Sequence, residues 1–430
     1  MTTSPSIWDR LTQAQLAVLS REYLLAGQLI DRAGMPHAIS KFGREIMAEI
    51  AIDEWMGASP VYTRRIQRLL GFGGEDVGTI FKGMQFDVGA PHEFLDFRYR
   101  VHDDDHGEFW LNFCGALADV EPMGDDYVTA MCHHIEDPTF DATACASNPR
   151  ARMTPVHRPP RVPAGRHPNC HWNVDIVHDA TPLTEPTQAI RMAQTSAAQL
   201  PLPVVEDTDD GLSDYVRPID PDLQFEHMSS GLLRAACDEF ALQGHLLVLS
   251  FGASVADRSN VETAQAMIAD QFVGVAGVVA QRLLRMIRRH GLVESGALRG
   301  PNPDSSATTL AEVATVFELH PAFRPLNYVG VYVEVLDECV RVQLGGGPAA
   351  DEDGTGELAA GGWVHALQAG DARAIEAMAR AVSPTAECRL IDSSVAPSWE
   401  IRLGDVAHPV ASQVTLTEFS TGATFEFSTP

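Results

Sequence analysis

The chain of 430 residues carries a formal charge of -27 and seven cysteines. Such acidity argues against nucleic acid or an anionic membrane surface as the main partner, since both reward clustered Lys and Arg. The length exceeds what one hydrophobic core usually organises, which predicts two units or a duplicated one.

An odd cysteine count in a chain opening MTTSPSIWDR, with neither a basic n-region nor an apolar h-region, predicts free thiols in a reducing cytoplasm. No apolar run reads as long enough to cross a bilayer. Residues 272–286 come nearest, but glycines, Gln281, Arg282 and Arg285 interrupt them, so they read as a buried helix.

Residues 11–70 have helical periodicity: a first run at 11–34, a second at 38–56, and a third entered through Ser59 as N-cap before Pro60. From Phe94 the period changes to two, with Phe97, Tyr99 and Val101 on one side and Asp96, Arg98, Arg100 and His102 on the other. That is the pattern of a half-buried strand. DDDHG is turn chemistry, and EFWLNFCGAL returns as the second arm of a hairpin. A helix is expected from about residue 125 to 136, stopped by Pro138; an extended Pro and Arg arm follows at 150–166, then a last strand, CHWNVDIV. The acidic, proline-rich stretch 183–223 reads as a connection between units. The order then repeats: helices from 225 to 287, the hairpin VGVYVEVLDECVRVQLGGG, the helix ARAIEAMARAVSP and the strand SWEIRL.

Several anchors recur at an offset of about half the chain, as in an internal repeat. Phe42-Gly43 answers Phe251-Gly252, Arg98 to Asp104 answers Tyr332 to Glu338, Ala130-Met131 answers Ala377-Met378, and Trp172, Val174 and Ile176 answer Trp399, Ile401 and Leu403. The expected fold is therefore α+β, two tandem related units about a pseudo-two-fold. Each has N-terminal helices followed by an antiparallel sheet with a helix. The first unit spans 1–215 and carries the chemistry; the second, 216–430, is degenerate. On this alignment Ala379, Arg380 and Ala381 replace Cys132, His133 and His134, and Pro397 replaces Cys170.

The chemistry is crowded between residues 101 and 178, which hold Cys114, Cys132, Cys145 and Cys170 together with His102, His106, His133, His134, His157, His167, His171 and His178. Thiols and imidazoles at this density suit zinc or iron, although no C-x-x-C or H-E-x-x-H spacing occurs. A helical wheel through Val128, Met131 and Ile135 puts Cys132 beside the buried stripe, His134 and Glu136 flanking it, and His133 away from it. Strand parity places Cys170 with Trp172. Cys114 falls on the opposite, more polar parity with Trp110, unless a bulge near Gly115 turns it. The bland reading of a buried Cys is a small hydrophobe, and His102 and His106 read as surface residues of a turn. The arginines of the arm suit a carboxylate or phosphate; the competing assignment is a solvated connection or a clamp on a neighbouring subunit of a homo-oligomer. GFGG at 71–74 and GGG at 345–347 lack the context of a phosphate loop.

Helices with a late Phe-Gly pair, a hairpin, a Cys-bearing helix and a closing Cys-x-Trp strand resemble the L-2-amino-thiazoline-4-carboxylate hydrolase-like proteins and their relatives with a 4-vinyl-reductase-type domain. The resemblance covers residues 21–177 and rests on Phe42-Gly43, Cys132 and Cys170-His171-Trp172. It implies a small α+β domain with cysteines near a small-ligand site. The MCHHIED run, the arm and the second copy depart from it, so neither ring-opening hydrolysis nor its substrate carries over.

The resulting expectation is a cytoplasmic hydrolase or lyase acting on a small molecule. Cys114, Cys132, His134 and Cys170 would hold the zinc or iron, and Glu136 or His171 would move the proton. A metal-free version uses Cys132 or Cys170 as nucleophile. The alternative from another class is a non-catalytic protein binding a small or apolar ligand between the two units.

Overall fold

The computed structural model describes residues 6–292, 308–352, 360–392 and 396–428. The first half begins with two long helices, α1 (Gln13–Phe42) and α2 (Arg44–Leu69), and a short α3 (Val77–Met84). Strands β1 (Leu95–Val101) and β2 (His106–Cys114) form the expected hairpin. Next come α4 (Gly115–Val120), α5 (Asp125–Thr129), a π-helical segment at Ala130–Ile135, and α6 (Glu136–Cys145). Strands β3 (Ala151–His157) and β4 (Cys170–Ile176) complete an antiparallel sheet of order β1-β2-β4-β3. The connection contains α7 (Thr187–Met192) and α8 (Ser196–Gln199).

The second half repeats the plan. Two long helices, α9 (Ser230–Arg258) and α10 (Val261–His290), precede α11 (Leu310–Leu319) and α12 (Leu326–Val329). Strands β5 (Val331–Val335) and β6 (Val340–Leu344) lead to α13 (Pro348–Asp351), α14 (Trp363–Gln368) and α15 (Arg373–Val382). β7 (Ala386–Asp392) and β8 (Ser398–Leu403) give the order β5-β6-β8-β7, the counterpart of the first sheet. The chain ends with α16 (Ser412–Thr417) and α17 (Thr421–Thr424). The fold is α+β, built from two similar units.

The helices of both halves pack into one core, in which α1 and α2 lie directly on α9 and α10. Polar groups buried between them are paired across the halves. Arg65 on α2 grips Glu239 on α9 through two bonds of 2.9 and 2.6 Å, and its remaining donors reach the carbonyls of Ala198 and Leu200. The Gln243 side chain accepts from the Val88 amide at 3.0 Å and donates to the Phe86 carbonyl at 2.9 Å. α9 and α10 are long and apolar enough, by length and composition alone, to cross a bilayer, contrary to the sequence expectation. Their most apolar windows are 94% and 83% buried inside the protein, as core helices require.

Several expectations need correction. Pro36 and Pro60 lie inside α1 and α2 and do not delimit helices. Burial of the flanking turns against α9 and α10 holds each helix together despite the lost backbone donor. The Pro and Arg stretch supplies a fourth strand, β3, at the edge of the sheet, where Pro155 is tolerated. Beyond that strand Arg158 pairs with Asp137 and Arg161 with Glu121, so these arginines serve their own unit. Of the repeat anchors, β1 with β5 and Trp172 with Trp399 stand in equivalent strands. Phe42-Gly43 does not match Phe251-Gly252: Gly43 joins α1 to α2 at φ 82, whereas Phe251-Gly252 lies within α9. α15 sits immediately before β7 as α6 sits before β3, so α15 answers α6 and not the segment carrying Cys132.

Candidate functional site

The inner face of the first sheet, α6 and the long helices α1 and α2 enclose a cavity of about 120 Å³. Glu136, Cys114, Cys170, Arg32, Asp87 and Trp55 are in its wall. The sequence singled out the first three of these. Cys170 arrives by the expected strand parity, on the same face as the fully buried Trp172. Cys114 arrives through a bulge: β1 pairs Phe97 with Leu111 but Leu95 with Cys114, so β2 carries one extra residue. The surplus residue reverses its parity and turns the thiol inward, where Sγ accepts from the Leu117 amide at 3.3 Å. Gly115 is required just beyond, since a Cβ there would lie 2.1 Å from the Phe94 ring.

Glu136 is placed by the π-helical segment. Its wider i→i+5 turn rotates everything after it relative to a regular helix. Met131 and Cys132 stay buried, but the two flanking side chains part: Glu136 lines the cavity and His134 is exposed. The carboxyl Oε2 of Glu136 is buried without a hydrogen-bond partner. Burial lifts its pKa to about 8, against the opposing pull of the Arg158 guanidinium. The acid is therefore protonated at neutral pH.

Cys132, Cys170 and Cys114 lie close enough to Glu136 to feel its charge, and Cys132 also feels the other two thiols. Burial pushes the Cys114 thiol up to about 12 and those of Cys132 and Cys170 well above their ordinary value. Protonated thiols are poor nucleophiles and poor ligands. Among the described residues there is no group of three or more His, Cys, Asp or Glu side chains disposed to hold a metal ion.

The histidines lie elsewhere. His171 alternates with Cys170 and Trp172, so it projects to the outer face of the sheet, bonded to Glu108 Oε2 at 2.8 Å beside Trp110 and His157. His133 meets the Pro159 carbonyl at 2.7 Å, and His106 pairs with Asp103 in the exposed turn. Of the expected site residues, Cys114, Cys132, Cys170 and Glu136 are brought together; His134 and His171 are not.

Periodicity gave no warning of the remaining cavity residues. Asp31 and Arg32 form an ion pair in the middle of α1, and the Trp55 Nε1–H donates to Asp31 Oδ1 at 3.2 Å. Asp87 accepts from the Tyr62 hydroxyl at 2.6 Å, and burial raises its pKa to about 6. Glu54, near the Asp31–Arg32 pair, is fully buried with neither oxygen partnered, and burial holds its pKa well above the usual carboxylate range. The signal was an adjacent Asp and Arg inside the otherwise apolar run LLAGQLIDRAGM, where a buried charge is costly unless paired. No family model matches the chain, and comparisons with curated proteins and with solved structures return no match.

Proposed function

We propose that the first unit is an acid–base active site for a small molecule, of hydrolase or lyase type, with Glu136 as the proton carrier. The observation that carries this reading is a carboxyl with an unpartnered buried oxygen at the cavity wall and a pKa raised to about 8. A carboxylic acid still protonated at neutral pH can donate to a carbonyl or leaving-group oxygen. Arg158, which favours the ionised form, would stabilise the carboxylate left behind. In this reading Cys114 and Cys170 act as a protonated, weakly polar lining, with Cys132 buried behind it, and none of the three is a nucleophile.

The experiment is a turnover screen with small esters, amides and β-substituted carbonyl compounds, run on the wild type and on Glu136→Gln. Activity on one of these classes should fall away above about pH 8, where the acid ionises, and drop by roughly 10²–10⁴-fold in the variant. Turnover surviving undiminished in Glu136→Gln refutes the role. Metal analysis of untagged protein addresses the metal-centred version: stoichiometric zinc or iron lost in Cys132→Ser would restore it. The non-catalytic binding reading draws on the apolar chamber beside the cavity; a ligand bound equally by wild type and Glu136→Gln, with no turnover by either, would favour it.

A further inference from the structure

Next to the cavity beside Glu136 is a second one of about 180 Å³. Arg32, Trp55, Met131 and Ile135 line both, so these four side chains form the shared wall, or collar, between two chambers. The chambers differ in chemistry. The inner one presents the Glu136 carboxyl, two thiols and the Tyr62–Asp87 pair. The outer one is lined by Met35, Met47, Met123 and Val120, and by Leu416 and Phe419 from the C-terminal segment of the second half. Thioether side chains adapt to varied apolar shapes. The outer chamber reaches the surface, where Met123 and Phe419 are 55% and 81% exposed.

The charges around the outer chamber are already answered. Asp31 pairs with Arg32, and Asp119 accepts from the Ser420 hydroxyl at 2.7 Å and the Thr421 amide at 2.6 Å. What remains unmet in the residues of the inner wall is donor capacity: the buried Nε–H of Arg32, a residue of the collar, has no partner, and Oε2 of the Glu136 carboxyl has none either. An acceptor oxygen satisfies such groups. A further negative charge is not called for, because Asp31 already neutralises the guanidinium.

From this arrangement we infer that the ligand is amphipathic: a neutral carbonyl head group, as in an ester, amide or ketone, sits in the inner chamber, and an aliphatic or aromatic tail passes the collar into the methionine-lined chamber. The inference rests on the reading of the inner chamber given above and adds the substrate class. It also assigns the second half a part in the site, since Leu416 and Phe419 wall the chamber that takes the tail.

The probe is a homologous series of straight-chain methyl ketones, from butanone to decanone, titrated into the full-length protein by calorimetry or NMR. Affinity should rise about fourfold for each added methylene until the outer chamber is full, then level off. Leu416→Trp, at a half-buried position on α16, should cancel the gain of the longer ketones over butanone. Affinity that does not change with length in the wild type, or a long-chain gain that survives Leu416→Trp, sinks the tail inference and leaves the inner site standing. If no ketone binds at any length and Glu136→Gln alters no turnover, the inner-site reading itself falls and takes this inference with it. The wild-type series decides the matter even if the variant misfolds.

Discussion

Trp172 and Trp399 occupy the same place in the two sheets. Each is buried on the strand that pairs with the hairpin, facing Phe109 in β2 and Val342 in β6 respectively. The helices that follow the two hairpins are unlike. α15 is regular and fills its side of the second unit with Ile375, Met378 and Ala379, each fully buried. Its carboxylate, Glu376, stays 31% exposed and pairs with Arg380 one turn away at 3.1 Å. In the first unit the helix is interrupted by the π-helical segment, and α6 opens with Glu136 turned inward, lining a cavity in place of meeting a cation. One frame thus serves two ends: a regular helix with a solvated ion pair makes a filled core, and a re-phased helix with a desolvated acid makes a site.

If the two units differ only in that local packing, they should stand or fall together. Arg65→Met leaves Glu239 buried without its partner and should cost roughly 3–5 kcal/mol, the largest effect expected. Because the helical core is shared, both units should unfold in one transition by denaturant; two separated transitions would show them to be independent. Met378→Ala should cost roughly 2–5 kcal/mol, since it opens a void in a filled interior. Thr143→Val, on the cavity wall of α6, removes one hydroxyl bonded to the Thr139 carbonyl and to Ser59 and should cost about 1 kcal/mol. Equal costs at these two sites would erase the contrast between a filled and an open interior.

The parts of this contrast that could be read from the sequence are those with a regular period. Alternation marked β1, β2 and β4 and put Cys170 with Trp172. The fold class followed from the order of elements repeating, although two of the anchors used to align the halves were wrong. Two edge strands, β3 and β7, were missed; β3 was lost because Pro155 and its neighbouring arginines look like a linker, while packing on β4 makes them a strand. Prolines within α1 and α2 misled for the opposite reason: tertiary burial outweighs one missing backbone bond. The site turned on two irregularities with no sequence period, the bulge before Cys114 and the π-helical segment before Glu136. Each shifts the phase by about one residue, and a one-residue shift decides which side chain faces the cavity. A regular wheel put His134 flanking the buried stripe, as a ligand candidate, and it is exposed.

The effect most specific to the comparison concerns pH. The Glu136 carboxyl has an ordinary pKa of 4.5 and is raised by burial to about 8 in the folded protein. Between those values the folded state holds a proton that the unfolded chain has released. The unfolded state then binds fewer protons, so this group's contribution to stability falls as pH rises through the window and levels off above about pH 8. Asp87, raised to about 6, and Asp238, raised to about 7, contribute slopes of the same sign, so the wild-type curve alone does not isolate Glu136. The difference between wild type and variant does. Glu136→Gln should become progressively more stable relative to wild type from roughly pH 5 to pH 8, as followed by urea unfolding. A Glu136→Gln difference that stays constant with pH would mean that the acid is solvated in the folded protein, and the distinction drawn between the two units would lose its chemical basis.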